Sequence, residues 1–149
     1  MTTAQTSRKF HLDGATHAAL IEHARSDFPY EVCGLLAGIG GRLTRHYRIP
    51  NAARSMTFYN MDARELLAAM NDMDDNEWDL LGIYHSHTHT EAYPSATDVE
   101  LAFYANAVYL IVSLQDRERP VVRAFDIVDG VVTERTVVVG GEQWPTRSR

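Results

Sequence analysis

The sequence predicts an α+β, or mixed α/β, fold in which a sheet is flanked by helices within a single domain. Its 149 residues suit one hydrophobic core, and 45% hydrophobic content is enough to build it. Short apolar runs and helical patterns follow the order helix, two strands, helix, strand, loop, helix, three strands. Strands that come in consecutive groups as well as between helices favour a mixed sheet over a doubly wound parallel one. The polar ends, 1–8 and 140–149, read as flexible tails around a domain of residues 9–139.

Asp13 is a plausible N-cap for a first helix over 15–25, with Ala15, Ala18, Ala19 and Ala24 on one face and Pro29 beyond its end. The glycine-bounded apolar run 32–38 suits a buried strand. Residues 43–49 can pair with it after the Gly40-Gly41 turn, which leaves Glu31 at the strand entrance. Asp62 can cap a second helix with the apolar stripe Leu66, Leu67, Met70 and Met73, ending in the acidic stretch 72–77. Residues 80–84 read as a further buried strand leading into a loop over 85–94. Ser95 then precedes a helical pattern with Val99, Leu101, Ala102 and Phe103. Three strand-like runs close the chain, 108–114, 121–128 and 131–139, the last two joined by an Asp129-Gly130 hairpin turn.

Composition excludes several functions. Fourteen Lys and Arg against twenty Asp and Glu give a net charge of −6, and the cations are scattered, which argues against a nucleic-acid surface. No apolar run approaches the roughly 20 residues of a membrane span, and the first ten residues lack a signal-peptide core. A cytoplasmic location is the resulting expectation. One cysteine, Cys33, builds neither an internal disulfide nor a cysteine zinc finger.

The chemistry lies in His85-x-His87, seven residues, then Ser95-x-x-Asp98. Residues i and i+2 of an extended segment project to one side, so both imidazoles can reach one ion, and Asp98 can supply a third ligand. Two imidazole nitrogens and a carboxylate suit zinc, with a fourth position left for water. The ordinary reading stands beside this one, since Ser95 and Asp98 also form a near match to a helix capping box. The two readings are compatible. By spacing alone, His87-x-His89 is as good a pair as His85-x-His87, and only the seven-residue count to Ser95 separates them.

The pattern His85-Ser86-His87, seven residues, Ser95-Ala96-Thr97-Asp98, with the upstream acid in Glu31-Val32-Cys33-Gly34-Leu35-Leu36-Ala37-Gly38, resembles the JAMM (MPN+) zinc metalloproteases. The stretches 31–38, Asn51-Ala52-Ala53-Arg54-Ser55 with Phe58-Tyr59, 84–98 and 127–130 are similar to its short bacterial members, the CysO-cysteine peptidase group, over residues 10–139. The resemblance implies a cytidine-deaminase-like MPN sheet and one zinc held by His85, His87 and Asp98. It further implies Glu31 as acid/base and Ser95 as the group that assists the tetrahedral intermediate. The implied substrate is a small ubiquitin-like sulfur carrier protein, cut beyond its C-terminal Gly-Gly tail. Many members carry proline after the second histidine, where this chain has Thr88 and then His89. Competing expectations are a deubiquitinase-like isopeptidase and a catalytically silent scaffold. Only 46 residues separate Cys33 from Asp79, little room for a ubiquitin-clamping insertion, and the ligand set is intact.

The remaining candidates are weaker. Cys33 sits in an apolar run, which favours an inert thiol, although it lies on the same side of an extended segment as Glu31. His11, His17, His23 and His46 read as surface or helix residues. The stretch 72–77 lacks an EF-hand's glycine and terminal glutamate. Tyr93-Pro94 reads as shaping the loop, with Tyr93 a candidate for lining the cleft.

Overall fold

The computed structural model describes residues 8–140. The tails expected at 1–8 and 140–149 lie outside the described residues except Arg8, whose carbonyl accepts from Thr136, and Gly140, whose N–H donates to Leu12. The elements are β1 (Lys9–Leu12), α1 (Gly14–Ser26), β2 (Cys33–Ile39), β3 (Arg42–Ile49), α2 (Ala63–Asn76), β4 (Asp79–His87), α3 (Ala96–Glu100), β5 (Val108–Ser113), β6 (Val121–Val128) and β7 (Val131–Val139). Seven strands form one sheet in the order β1-β7-β6-β5-β4-β2-β3. The β1–β7 and β4–β5 pairs are parallel and the other four are antiparallel, so the sheet is mixed and the fold α+β, as expected.

Both faces of the sheet are covered. Leu20 and Ala24 of α1 pack with Leu36, Tyr84, Leu110 and Val112 on one face. Ala69 and Met73 of α2 pack with Cys33, Leu35, Ile83, Tyr109 and Ile111 on the other. Successive residues of β2 and β5 therefore enter opposite cores, which explains their uninterrupted apolar runs. Asp13 and Asp62 cap α1 and α2 as anticipated, accepting from Thr16 N and Glu65 N. Asp129 and Gly130, at φ 51° and 80°, form the expected hairpin turn between β6 and β7.

Several expectations need correction. The strand expected to stop at Tyr84 continues through His87, because backbone ladder bonds to β2 and β5 extend past the point where side chains turn polar. The helix after Ser95 spans five residues and leaves Phe103 76% exposed. The alanine face assigned to the first helix is mostly solvated, since Leu20 and Ala24 anchor it while Ala15 and Ala18 are exposed. Alanine buries too little area to orient a helix against competing leucines. Leu67 is 62% exposed, off the stripe of α2.

His23 and His46, read as surface or helix residues, meet in the protein. Tyr84, fully buried, has its hydroxyl 2.6 Å from His23 Nδ1 and 2.7 Å from His46 Nε2. The phenol donates to one ring and accepts from the other. Burial, then the neighbouring Arg48 and His46, pushes His23 down to about 4, so that ring is neutral near pH 7. Tyr84 reaches these partners because Gly34 leaves room, and a Cβ on Gly34 would collide with its ring and with the Tyr47 carbonyl. Gly34→Ala should therefore lower unfolding stability by about 1–3 kcal/mol in urea titrations, the usual cost of overpacking. An unchanged midpoint would show that the Tyr84 ring can yield.

Candidate metal centre

The site grows from the end of β4. Period-two alternation puts His85 and His87 on the same face as Ile83, while Tyr84 enters the opposite core. β4 lies between β2 and β5, with His85 opposite Cys33 and Ile111, which holds the histidine backbones rigidly. Both histidines are buried. The loop after His87 returns to Ser95, and α3 begins with a complete capping box. Ser95 Oγ accepts from Asp98 N at 3.0 Å, and Asp98 Oδ2 accepts from Ser95 N at 2.9 Å. The capping reading is thus correct, and it fixes the aspartate.

The same Oδ2 faces both histidines. It lies 3.1 Å from His85 Nε2 and 2.9 Å from His87 Nε2, and the two nitrogens are 3.2 Å apart. His87 Nδ1 is 2.8 Å from the Glu91 carbonyl, which only accepts, so this nitrogen donates and a neutral His87 turns a lone pair inward from Nε2. Three electron-rich atoms this close repel one another unless a proton or metal cation sits among them. A tetrahedral ion with ligands at about 2.0–2.1 Å holds those ligands about 3.3–3.4 Å apart, within a few tenths of an ångström of the observed triangle. These residues fit zinc in both donor chemistry and spacing.

Electrostatics point the same way. Burial would raise the Asp98 carboxyl, yet the His85 and His87 rings at its Oδ2 and the Ser95 N–H hold it well below the usual range. Burial lowers His85 overall, although Asp98 acts to raise it. Burial also acts to lower His87, but its bonds to Asp98 and the Glu91 carbonyl raise it overall. Beside them is Glu31, 3% exposed, with Oε1 buried and unpaired among the described residues. Burial, partly offset by His87 and reinforced by Asp98, pushes this carboxyl up to about 8. The Ser95 hydroxyl uses a lone pair in the cap, and among the described residues its proton has no acceptor.

The structure thus brings His85, His87 and Asp98 together, with Ser95 attached to Asp98 and Glu31 within electrostatic reach of His87 and Asp98. His89 lies outside the triangle. It is exposed, bonded to the Thr88 hydroxyl at 2.9 Å and tilted against Phe28. Cys33 shares the face of the site, but its Sγ donates to the Ile49 carbonyl at 3.3 Å, and burial, then Glu31, pushes the thiol up to about 12. Tyr93 packs edge-on against Phe125.

Three residues here received no role from the sequence. Ser86, between the histidines, is fully buried and bonds both ways to Val32, through Oγ from Val32 N at 2.9 Å and through its own N–H to Val32 O at 3.0 Å. It ties the Glu31 segment to the histidine strand. A polar residue inside an otherwise buried strand was the available signal. Tyr59 stacks on His85 with centroids 4.5 Å apart, and Asn51 bonds the Glu31 carbonyl at 3.0 Å. Both contacts are too remote in sequence for any spacing rule.

Residues 14–128 match the family described as prokaryotic homologs of the JAB domain. The CysO-cysteine peptidase of Mycobacterium tuberculosis is 50% identical over 123 residues, covering 81% of this chain and 84% of that protein. A desampylase of Haloferax volcanii is 34% identical over 119 residues, covering 75% of this chain and 86% of that one. The solution structure of a Desulfitobacterium hafniense protein has a TM-score of 0.77 at 38% identity, covering 87% of this chain and 91% of that chain. Among the described residues, no helix is long and apolar enough to cross a membrane.

The buried Glu31 makes the metal-free protein pH-sensitive. Its folded pKa, about 8, exceeds the ordinary 4.5, so the folded state holds its proton more tightly than the unfolded chain. The resulting stability is complete below about pH 4.5 and is lost as pH rises through 8. Glu31→Gln stays neutral and should remove this loss. Thermal melts of both proteins without metal, from pH 5 to 9, should diverge as pH rises, and parallel curves would show that Glu31 titrates normally.

Proposed function

The chain belongs to the family of prokaryotic JAB-domain homologs, and from that premise we propose that it is a zinc-dependent peptidase which hydrolyses the peptide bond beyond the Gly-Gly end of a small ubiquitin-like sulfur carrier protein. One observation carries this reading. A triangle of two imidazole nitrogens and one carboxylate oxygen, with edges of 2.9 to 3.2 Å, stands within electrostatic reach of the buried Glu31 carboxyl, whose Oε1 has no hydrogen-bond partner among the described residues.

In this reading His85, His87 and Asp98 would hold the ion, which when bound would supply Lewis acidity for a water and for the scissile carbonyl. Glu31 takes the proton from that water and returns it to the leaving amine, so one water is consumed and an acid and an amine are released. A cation held in the triangle would act to lower Glu31 from its raised value of about 8 and so favour the ionised form that accepts a proton. Ser95 donates its free hydroxyl proton to the developing oxyanion, a contact of the kind worth about 2.7–4 kcal/mol. Glycines on the carrier let an extended backbone approach without side-chain clashes. The named activity of the Mycobacterium relative supports the carrier as substrate. A second reading, isopeptidase action like that of the Haloferax desampylase, rests on the lower identity of 34%.

The purified protein should hold one zinc per chain. His85→Ala and Asp98→Ala should fold and lose it by metal analysis, and full occupancy in both would overturn the ligand set. Glu31→Gln should keep zinc while losing about 10²- to 10⁴-fold in rate on a carrier extended by one residue beyond Gly-Gly, read by intact mass. Turnover at the wild-type rate would remove Glu31 from the chemistry. Cys33→Ser should retain hydrolysis, and a chelator should abolish it. The opposite pattern would move the chemistry to the thiol.

A further inference from the structure

The chain leaves β3 at Ile49 and crosses residues 50–62 without regular structure before α2. An irregular segment must find partners for its backbone away from a ladder, and here one side chain supplies many of them. Asn51 Oδ1 accepts from Ala53 N and Asn60 N, both at 3.0 Å, while Nδ2 donates to the Glu31 carbonyl at 3.0 Å and the Phe58 carbonyl at 3.2 Å. Two donors and two acceptors exhaust the amide. They also fix its orientation, since a flipped group would set oxygen against two carbonyls.

The four bonds join the two halves of the site. Glu31 is held through its carbonyl by Asn51 and through its N–H by the Ser55 carbonyl at 2.9 Å, so both of its backbone polar groups are tied to this one loop. Phe58 and Asn60, bonded directly by Asn51, bracket Tyr59, whose ring lies over His85 at 4.5 Å and 28°. A metal-binding histidine is ordinarily oriented by a hydrogen bond from its second nitrogen. His87 has that bond, to Glu91, whereas His85 Nδ1 is buried with no hydrogen-bond partner among the described residues. Tyr59 instead stacks on the face of that ring, a contact that restrains its tilt without a hydrogen bond.

We infer that Asn51 is the positioning residue of the site, setting Glu31 directly and His85 through the Tyr59 ring, so that a single amide registers the acid/base against the metal ligands. The inference rests on the zinc peptidase reading for its catalytic meaning. Its geometric content stands apart from that reading.

The test compares Asn51→Ala, Asn51→Asp, Tyr59→Phe, Tyr59→Leu and the double variant Asn51→Ala with Tyr59→Leu. Zinc affinity is read by competition with a chromogenic chelator, kcat and KM are read on the extended carrier, and the His85 ring resonances are read by NMR in the metal-free protein. Tyr59→Phe keeps the stack and should match wild type. Tyr59→Leu and Asn51→Ala should each weaken zinc about tenfold, the lower end for loss of an outer-shell contact, and the double variant should be no weaker than either single one. Asn51→Ala should also lower kcat with little change in KM. Asn51→Asp keeps both accepted bonds and loses both donors, so it serves if the alanine variant fails to fold, and it should show the same losses. Lower melting temperatures with wild-type zinc affinity, kcat and His85 resonances would reduce Asn51 to a structural residue and overturn the inference. If the wild-type chain binds no zinc and cleaves nothing, the functional reading fails by itself. The His85 resonances, displaced in Asn51→Ala and Tyr59→Leu but not in Tyr59→Phe, then still decide whether the amide sets the ring.

Discussion

The antiparallel pairing of β2 with β4 is the constraint on which the rest of the protein hangs. It places Cys33 opposite His85, and one residue further Ser86 and Val32 exchange two hydrogen bonds, so the segment carrying Glu31 cannot slide relative to the histidines. A slip of one residue would reverse the faces, sending both imidazoles into the core beneath α1 and Tyr84 out of it. The opposite face guards against that slip. Tyr84 is locked by His23 and His46 and fits only because Gly34 lacks a side chain. Two polar clusters on opposite faces of one strand pair thus specify the same register.

Burial gives the site its chemical character at a cost in stability. Glu31, His85 and His87 lie where water would otherwise stabilise their charges, and the hydrogen bonds that remain are unequal. Asp98 Oδ2 has three nitrogens within 3.1 Å and is held ionised, whereas Glu31 Oε1 and His85 Nδ1 have no hydrogen-bond partner among the described residues. Unsatisfied buried groups are rare in proteins and are tolerated chiefly where function requires them. The two orphan atoms among the described residues both fall beside the triangle, which marks this face as the part of the fold least optimised for stability.

Much of this was legible in the sequence. A glycine-bounded apolar run located β2 and a plain apolar run β5, and Asp13, Asp62 and Asp129-Gly130 announced two helix starts and a hairpin, because caps and tight turns are local chemistry. The spacing of His85, His87, Ser95 and Asp98 was readable for the same reason, since alternation along a strand and the first turn of a helix are short-range geometry. The element boundaries went astray where local signals mislead. The strand carrying the histidines runs past the onset of polar side chains, because side-chain polarity says nothing about ladder bonds. The alanines of α1 do not mark its buried face, because propensity does not report which helix face meets the sheet.

What the sequence by itself determined is the inventory: which residues bear chemistry, which segments are helix or strand, and which few neighbours along the chain act together. Only the tertiary structure decided that the Glu31 segment lies beside His87 and Asp98, that Asn51 bonds the Glu31 carbonyl, that Tyr59 covers His85, and that His23 and His46 share one phenol. The hydrogen bonds among those contacts span 20 to 61 residues. They follow from strand order and register in a mixed sheet, where pairing energy is spread over many backbone bonds and no single residue announces its partner.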